Sequence, residues 1–157
     1  MEFKQTNAAL LASYKLIRNV CIYDYNQRFY KYLKKNATTI QYLYIFTQCD
    51  GEDFMESDLA EALKLLADSL TTLYFKVYRA DEMNPRSFQA IEMPKLKSLE
   101  TWSPVFLQLF MNSRITHLWI EVDEEMDVIE YARSDIKYFV DFLSVQVDLK
   151  VNCYIIE

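Results

Sequence analysis

Aliphatic residues recur along this chain in a short motif, apolar-x-x-apolar-x-apolar, separated by stretches with helical periodicity. The motif occurs as IRNVCI at residues 17–22, IQYLYI at 40–45, LTTLYF at 70–75, LKSLET at 96–101, ITHLWI at 115–120 and VNCYII at 151–156. The fourth is imperfect, because Thr101 replaces an aliphatic residue. Two-residue alternation predicts a strand at each hit. Between them, QRFYKYLKKNA places Phe29, Tyr32 and Leu33 on one helical face, and ESDLAEALKLLADSL places Leu59, Leu63, Leu66 and Leu70 on one stripe. VIEYARSDIKYFVDFL predicts a third helix with Ile129, Ile136, Phe139, Val140 and Leu143 inward. PVFLQLFMNS predicts a short helix opened by Pro104, and NPRSFQAIEM a turn or two of irregular helix.

Strand followed by helix, repeated, is the pattern of parallel βα units, and two architectures compete for it. A doubly wound sheet needs aliphatic residues on both faces of each strand. Here the aliphatics alternate with Tyr42, Tyr44, Thr72, Tyr74, Ser98, Glu100, His117, Trp119 and Glu121, so one face is not an ordinary core. The expectation is one α/β domain over residues 1–157: a solenoid of about six βα repeats, with a curved parallel sheet inside and helices outside. Residues 1–16 are read as an N-terminal helix or the end of a preceding repeat. A doubly wound sheet is the alternative.

Motif starts at 17, 40, 70, 96, 115 and 151 are separated by lengths that mostly fall near the leucine-rich-repeat period. From Ile17 to Glu157 the chain resembles a leucine-rich-repeat protein of the irregular βα kind, as in F-box substrate receptors and ribonuclease-inhibitor-like domains. That resemblance implies a recognition role, with substrate selection for an F-box-type ubiquitin ligase as its most specific form. The 16 residues before Ile17 are too few for an F-box, and neither end carries a polar capping repeat. Additional repeats, or a capping partner at an open end, are therefore expected.

In such a solenoid the third, fifth and seventh residues of each unit face away from the helices. Seven of those eighteen positions are aromatic, against 15% of the whole chain, so aromatic residues are concentrated there. The candidate partner-binding residues are Tyr23, Tyr42, Tyr44, Phe46, Tyr74, Trp102, His117, Trp119 and Glu121. In the last unit Cys153, Ile155 and Glu157 fall on the same side. Tyrosine and tryptophan give large contact area at low rotamer cost and dominate interface hot spots. Aromatic residues also favour strands for their own packing, so sheet stabilisation is the competing explanation.

Charge shapes the expected partner. The formal net charge of −6 disfavours a general nucleic-acid grip. Carboxylates collect after the strands, as at Asp50, Glu52 and Asp53, and in the insertion from Glu121 to Glu130; bases collect before them, as at Lys34, Lys35, Lys95 and Lys97. Much of this complements helix dipoles. What remains suits a protein partner with apolar anchors and basic residues. Three scattered cysteines, Cys21, Cys49 and Cys153, give neither a disulfide framework nor a zinc spacing, which points to a reducing intracellular compartment. No apolar run is long enough for a signal peptide or a membrane span.

Catalytic chemistry finds little support. Gly51 is the single glycine, which excludes a glycine-rich phosphate loop, and His117 is the single histidine. The acidic segment EVDEEMD lacks the glycine and spacing of a calcium loop. The expected function is a protein-interaction module without cofactor, metal or catalytic activity. A nucleic-acid adaptor, or a small enzyme on a doubly wound sheet, is the alternative.

Overall fold

The computed structural model describes residues 2–3, 18–23, 27–48, 56–78, 89–101, 104–123 and 128–156. Among them run β1 (Glu2–Phe3), β2 (Asn19–Tyr23), α1 (Gln27–Asn36), β3 (Tyr42–Gln48), α2 (Glu56–Leu66), β4 (Thr72–Tyr78), β5 (Ser98–Thr101), the 3-10 helix η1 (Pro104–Phe110), β6 (His117–Asp123), α3 (Val128–Val145) and β7 (Lys150–Ile156). The strands form one seven-stranded sheet in the order β1-β2-β3-β4-β5-β6-β7, and every pair is parallel. The protein is thus α/β with an all-parallel sheet whose strand order never reverses. Parallel crossovers are nearly always right-handed, so sequential order sends successive connections over the same face.

Burial follows that geometry. Val20, Ile22, Leu43, Ile45, Leu73, Phe75, Leu99, Leu118 and Ile120 alternate along their strands and are buried in one cluster with Phe29, Tyr32 and Leu33 of α1, Ala62, Leu63 and Leu66 of α2, Phe106 and Phe110 of η1, and Phe142 of α3. Each of the larger aliphatic and phenylalanine side chains stabilises the fold by roughly 1.5–3 kcal/mol. Thr101, the imperfect motif residue, keeps the inner position and is buried between its register partners Phe75 and Ile120. The Phe75 ring there meets Phe106 edge-on, with centroids 4.6 Å apart.

A repeated backbone joint sets the register. The Arg18 carbonyl accepts from the amides of Gln41 and Tyr42, Gln41 from Thr71 and Thr72, Thr71 from Lys97 and Ser98, Lys97 from Thr116 and His117, and Thr116 from Lys150. The Thr71 and Thr116 hydroxyls donate to the same carbonyls, at 3.0 and 3.1 Å. Just before each joint, Ile40, Leu70, Leu96 and Ile115 are fully buried, which explains why the motif opens on an apolar residue. Helix ends are closed locally: Asn36 Nδ2 donates to the Tyr32 carbonyl and Thr39 Oγ1 to the Asn36 carbonyl. The buried Ser69 hydroxyl donates to the Ala37 carbonyl in the preceding unit.

Four expectations need correction. The last motif is out of register: Leu118 pairs with Val151, not Tyr154, so the sixth unit begins at Asp148 and not at Val151. A three-residue shift is odd and exchanges the two faces of a strand. Cys153 and Ile155 therefore align with Ile120 and Val122 of the inner rows, while Lys150 and Asn152 align with His117 and Trp119. Glu157 lies outside the described residues. The short turn before β7 passes through Asp148 at φ 65°, a left-handed conformation that aspartate tolerates better than most residues.

Helix α3 is rotated from its expected setting. Phe142 is fully buried and Tyr138 packs against the core, as Phe139 does in agreement with expectation, whereas Ile136 and Val140 are 57% and 55% exposed. Two apolar stripes compete on this helix, and the one with larger aromatic area wins the core. Gln89 to Met93 form no helix; this irregular run buries Ile91 and Met93, and Ser113 Oγ clamps it by donating to the Ile91 carbonyl and accepting from the Met93 amide. The remaining part of the expected irregular helix, residues 84–88, lies outside the described residues, as do residues 4–17. Finally, β1 falls where no motif was found: two residues pair with Cys21 and Ile22. Among the described residues no helix is long and apolar enough to cross a membrane.

Candidate functional site: the aromatic face of the sheet

The sheet face opposite the core carries no fully buried side chain among those described, although several are half-covered by their neighbours. The register aligns its residues in rows. The middle row reads Cys21, Tyr44, Tyr74, Glu100, Trp119, Asn152, and the row before it Asn19, Tyr42, Thr72, Ser98, His117, Lys150. The row beyond begins Tyr23, Phe46, Lys76. In-phase strands put equivalent side chains about 4.8 Å apart, within stacking distance for aromatic rings.

Two aromatic clusters result. In the first, Tyr44 and Tyr74 stack with centroids 4.1 Å apart and planes 7° from parallel. Tyr23 leans on Tyr44 at 5.9 Å and on Phe46 at 5.8 Å, while Lys76 Nζ lies 5.6 Å from the Phe46 ring centroid. Beside the stack opens a shallow depression of about 250 Å³, lined on this face by Asn19, Cys21, Tyr42, Tyr44, Thr72 and Tyr74. Tyr42, at 48% exposure, is its most accessible aromatic wall. In the second cluster, His117 stacks on Trp119 at 5.6 Å and 15°, and His117 Nδ1 lies 3.0 Å from Thr116 Oγ1. Strand β5 separates the clusters with Ser98 and Glu100.

Of the residues singled out from the sequence, Tyr23, Tyr42, Tyr44, Phe46 and Tyr74 come together, and His117 with Trp119 forms the separate pair. Glu121 sits on β6 in phase with Trp119, but its side chain lies outside the described residues, as does all of Trp102. Lys76, Thr72 and Glu100 were not singled out, although strict alternation already put them on the aromatic side; a search for aromatic residues alone passes over them.

Cys21 lies on β2 and His117 on β6. Four strand spacings, about 19 Å, separate them, too far for a nucleophile and its base. Among the described residues no group of three or more histidine, cysteine or acidic side chains could hold a metal ion. The chain matches no known family model, no curated protein and no solved structure.

Proposed function

We propose that this chain is a leucine-rich-repeat-like solenoid that binds a partner polypeptide on its aromatic face and catalyses no reaction. The sequential parallel strand order and the carbonyl-to-amide joint repeated from unit to unit support the solenoid part of this reading. The stacked Tyr44–Tyr74 pair beside an open depression carries the binding part. Stacked rings on a partly exposed sheet face form a rigid apolar platform that loses little entropy when a partner docks. A substrate-recognition role in an F-box-type ubiquitin ligase is the form this binding takes under the family resemblance.

Affinity capture from a cell lysate tests the reading by comparing the wild-type chain with a Tyr44→Ala/Trp119→Ala variant. The expected outcome is loss of specifically captured protein, while thermal unfolding shows that the variant remains folded. Unchanged capture, or a collapse of the fold with no captured protein to lose, assigns the aromatic residues to sheet packing and rejects the binding role.

A further inference from the structure

We propose that the edge of the sheet where the strands begin seats an acidic, extended segment of the bound polypeptide, its carboxylates lying along a rim of exposed lysines and arginines. The proposal rests on the aromatic face being a polypeptide-binding surface, and it names the charge of that polypeptide. It reverses the basic partner that the overall charge suggests, because that charge is unevenly distributed.

The repeated joint fixes the rim. Arg18 and Lys97 supply joint carbonyls and the Lys150 amide donates to another, so these residues stand at the starts of β2, β5 and β7. Lys95 and Arg114 lie two residues before the joint carbonyls of Lys97 and Thr116. Lys34, Lys35 and Lys64 sit in the last turns of α1 and α2, which lead into the same edge. All eight of these basic side chains are exposed, and among the described residues none has an ion-pair partner.

Charge is segregated here. Arg18 and the connections that lead into the joints hold eight of the chain's 17 basic residues and three of its 23 acidic ones, Asp68, Glu92 and Asp148, a local charge of +5; the other nine basic and twenty acidic residues give −11. Helix dipoles account for only part of the rim. A helix C-terminus favours a cation in its last turn, which covers Lys34, Lys35 and Lys64, but η1 and α3 have no basic residue in theirs. Arg18, Lys95, Lys97, Arg114 and Lys150 lie outside the helices altogether.

Geometry selects among anionic partners. The first row of the aromatic face abuts the rim, and it contains half-exposed Tyr42 and Lys150 itself. An occupant that meets both must turn from the edge onto the face. A peptide chain turns that corner, whereas a bilayer does not meet two surfaces at a right angle. A long nucleic acid carries its charge past the rim into the field of the remaining acids. A short acidic segment stays within a Debye length of the cations, about 8 Å at physiological salt, where the more distant acids are screened. From β2 to β7 the rim spans five strand spacings, about 24 Å, the reach of roughly seven extended residues.

The test is selection of a displayed random-peptide library on the full chain, followed by affinity measurements with synthetic copies of the selected peptides. The expected peptides carry several aspartates or glutamates beside an apolar residue, and their on-rates fall as salt is raised. Lys97→Glu/Lys150→Glu should weaken their binding by at least about tenfold, as should replacing the peptide's acids by asparagine or glutamine. Matching thermal unfolding of wild type and variant excludes a folding defect; the peptide replacement needs no change to the protein. Selected peptides without shared acids, or binding indifferent to both changes, overturn the acidic seat. So does tighter, rim-dependent binding of a mixed-sequence single-stranded oligonucleotide or of phosphatidylserine vesicles, which assigns the rim to nucleic acid or membrane. If Tyr44→Ala weakens binding and charge reversal does not, the aromatic face stands and only the rim is lost. If charge reversal weakens binding and Tyr44→Ala does not, the acidic seat stands alone and the aromatic-face reading falls. A wild type that retains no peptide removes both.

Discussion

Tyr32 carries its hydroxyl into the core beneath α1, where no hydrogen-bond partner meets it among the described residues. Burial raises its pKa above the ordinary tyrosine value of 10.0, because the phenolate would be desolvated. Removing the oxygen should therefore stabilise the fold. Tyr32→Phe is expected to raise the melting temperature by a few degrees, the equivalent of about 1 kcal/mol. The sign of the pH effect follows from linkage. A group whose folded pKa is raised holds its proton longer when folded, so its contribution is intact below pH 10 and is lost as pH rises further. The Tyr32→Phe advantage over wild type should thus widen above pH 10 in denaturant titrations. A lower melting temperature for Tyr32→Phe would mean that the hydroxyl has a partner. Ser113 shows the contrasting case, a buried hydroxyl that both donates and accepts and thereby holds a loop that has no regular structure of its own.

Single elements show where the pattern of apolar residues is decisive and where it is not. Strands β3 to β6 were legible because each has aliphatic or aromatic residues at alternate inner positions, Thr101 of β5 excepted, and a buried apolar residue just before it. VNCYII fits the same motif by coincidence. As the outermost strand it packs core on one side only, so Val151 can sit 38% exposed at an inner-row position, and its composition specifies register weakly. Helix α3 was ambiguous for a different reason: aliphatics at Ile136 and Val140 and aromatics at Tyr138 and Phe142 lie on different faces with Phe139 between them, and periodicity alone cannot rank them. Substitution separates the two faces. Phe142→Ala should cost about 3–5 kcal/mol in chemical denaturation, and Ile136→Ala less than about 1 kcal/mol. Equal losses would put Ile136 back in the core. For the candidate site, alternation was enough to find the tyrosines, but their division into two clusters around Glu100 appears only once all strands are set in register.

At the scale of the whole molecule, exposed apolar area is unevenly distributed. Ile136, Val140, Val145, Val147 and Val151 account for most of the large exposed hydrophobic side chains described, and all belong to the α3–β7 end. There the sheet also presents β7 as an edge, with backbone groups open to another strand among the described residues. Such an edge promotes association. The isolated chain is expected to show concentration-dependent self-association in analytical ultracentrifugation, and Val147→Lys/Val151→Lys should suppress it while changing unfolding free energy by less than about 1 kcal/mol. A wild-type chain that stays monomeric into the millimolar range would contradict this.

The joint in which one carbonyl receives two amides from the next unit bears on how such a chain can change length. Because the same connection recurs at Arg18, Gln41, Thr71 and Lys97, cutting the segment between two of these positions and splicing the ends leaves a joint of the kind already present. Duplication and deletion of whole units are then conservative events for the backbone. The aromatic face can gain or lose a strip of side chains while the scaffold keeps its geometry.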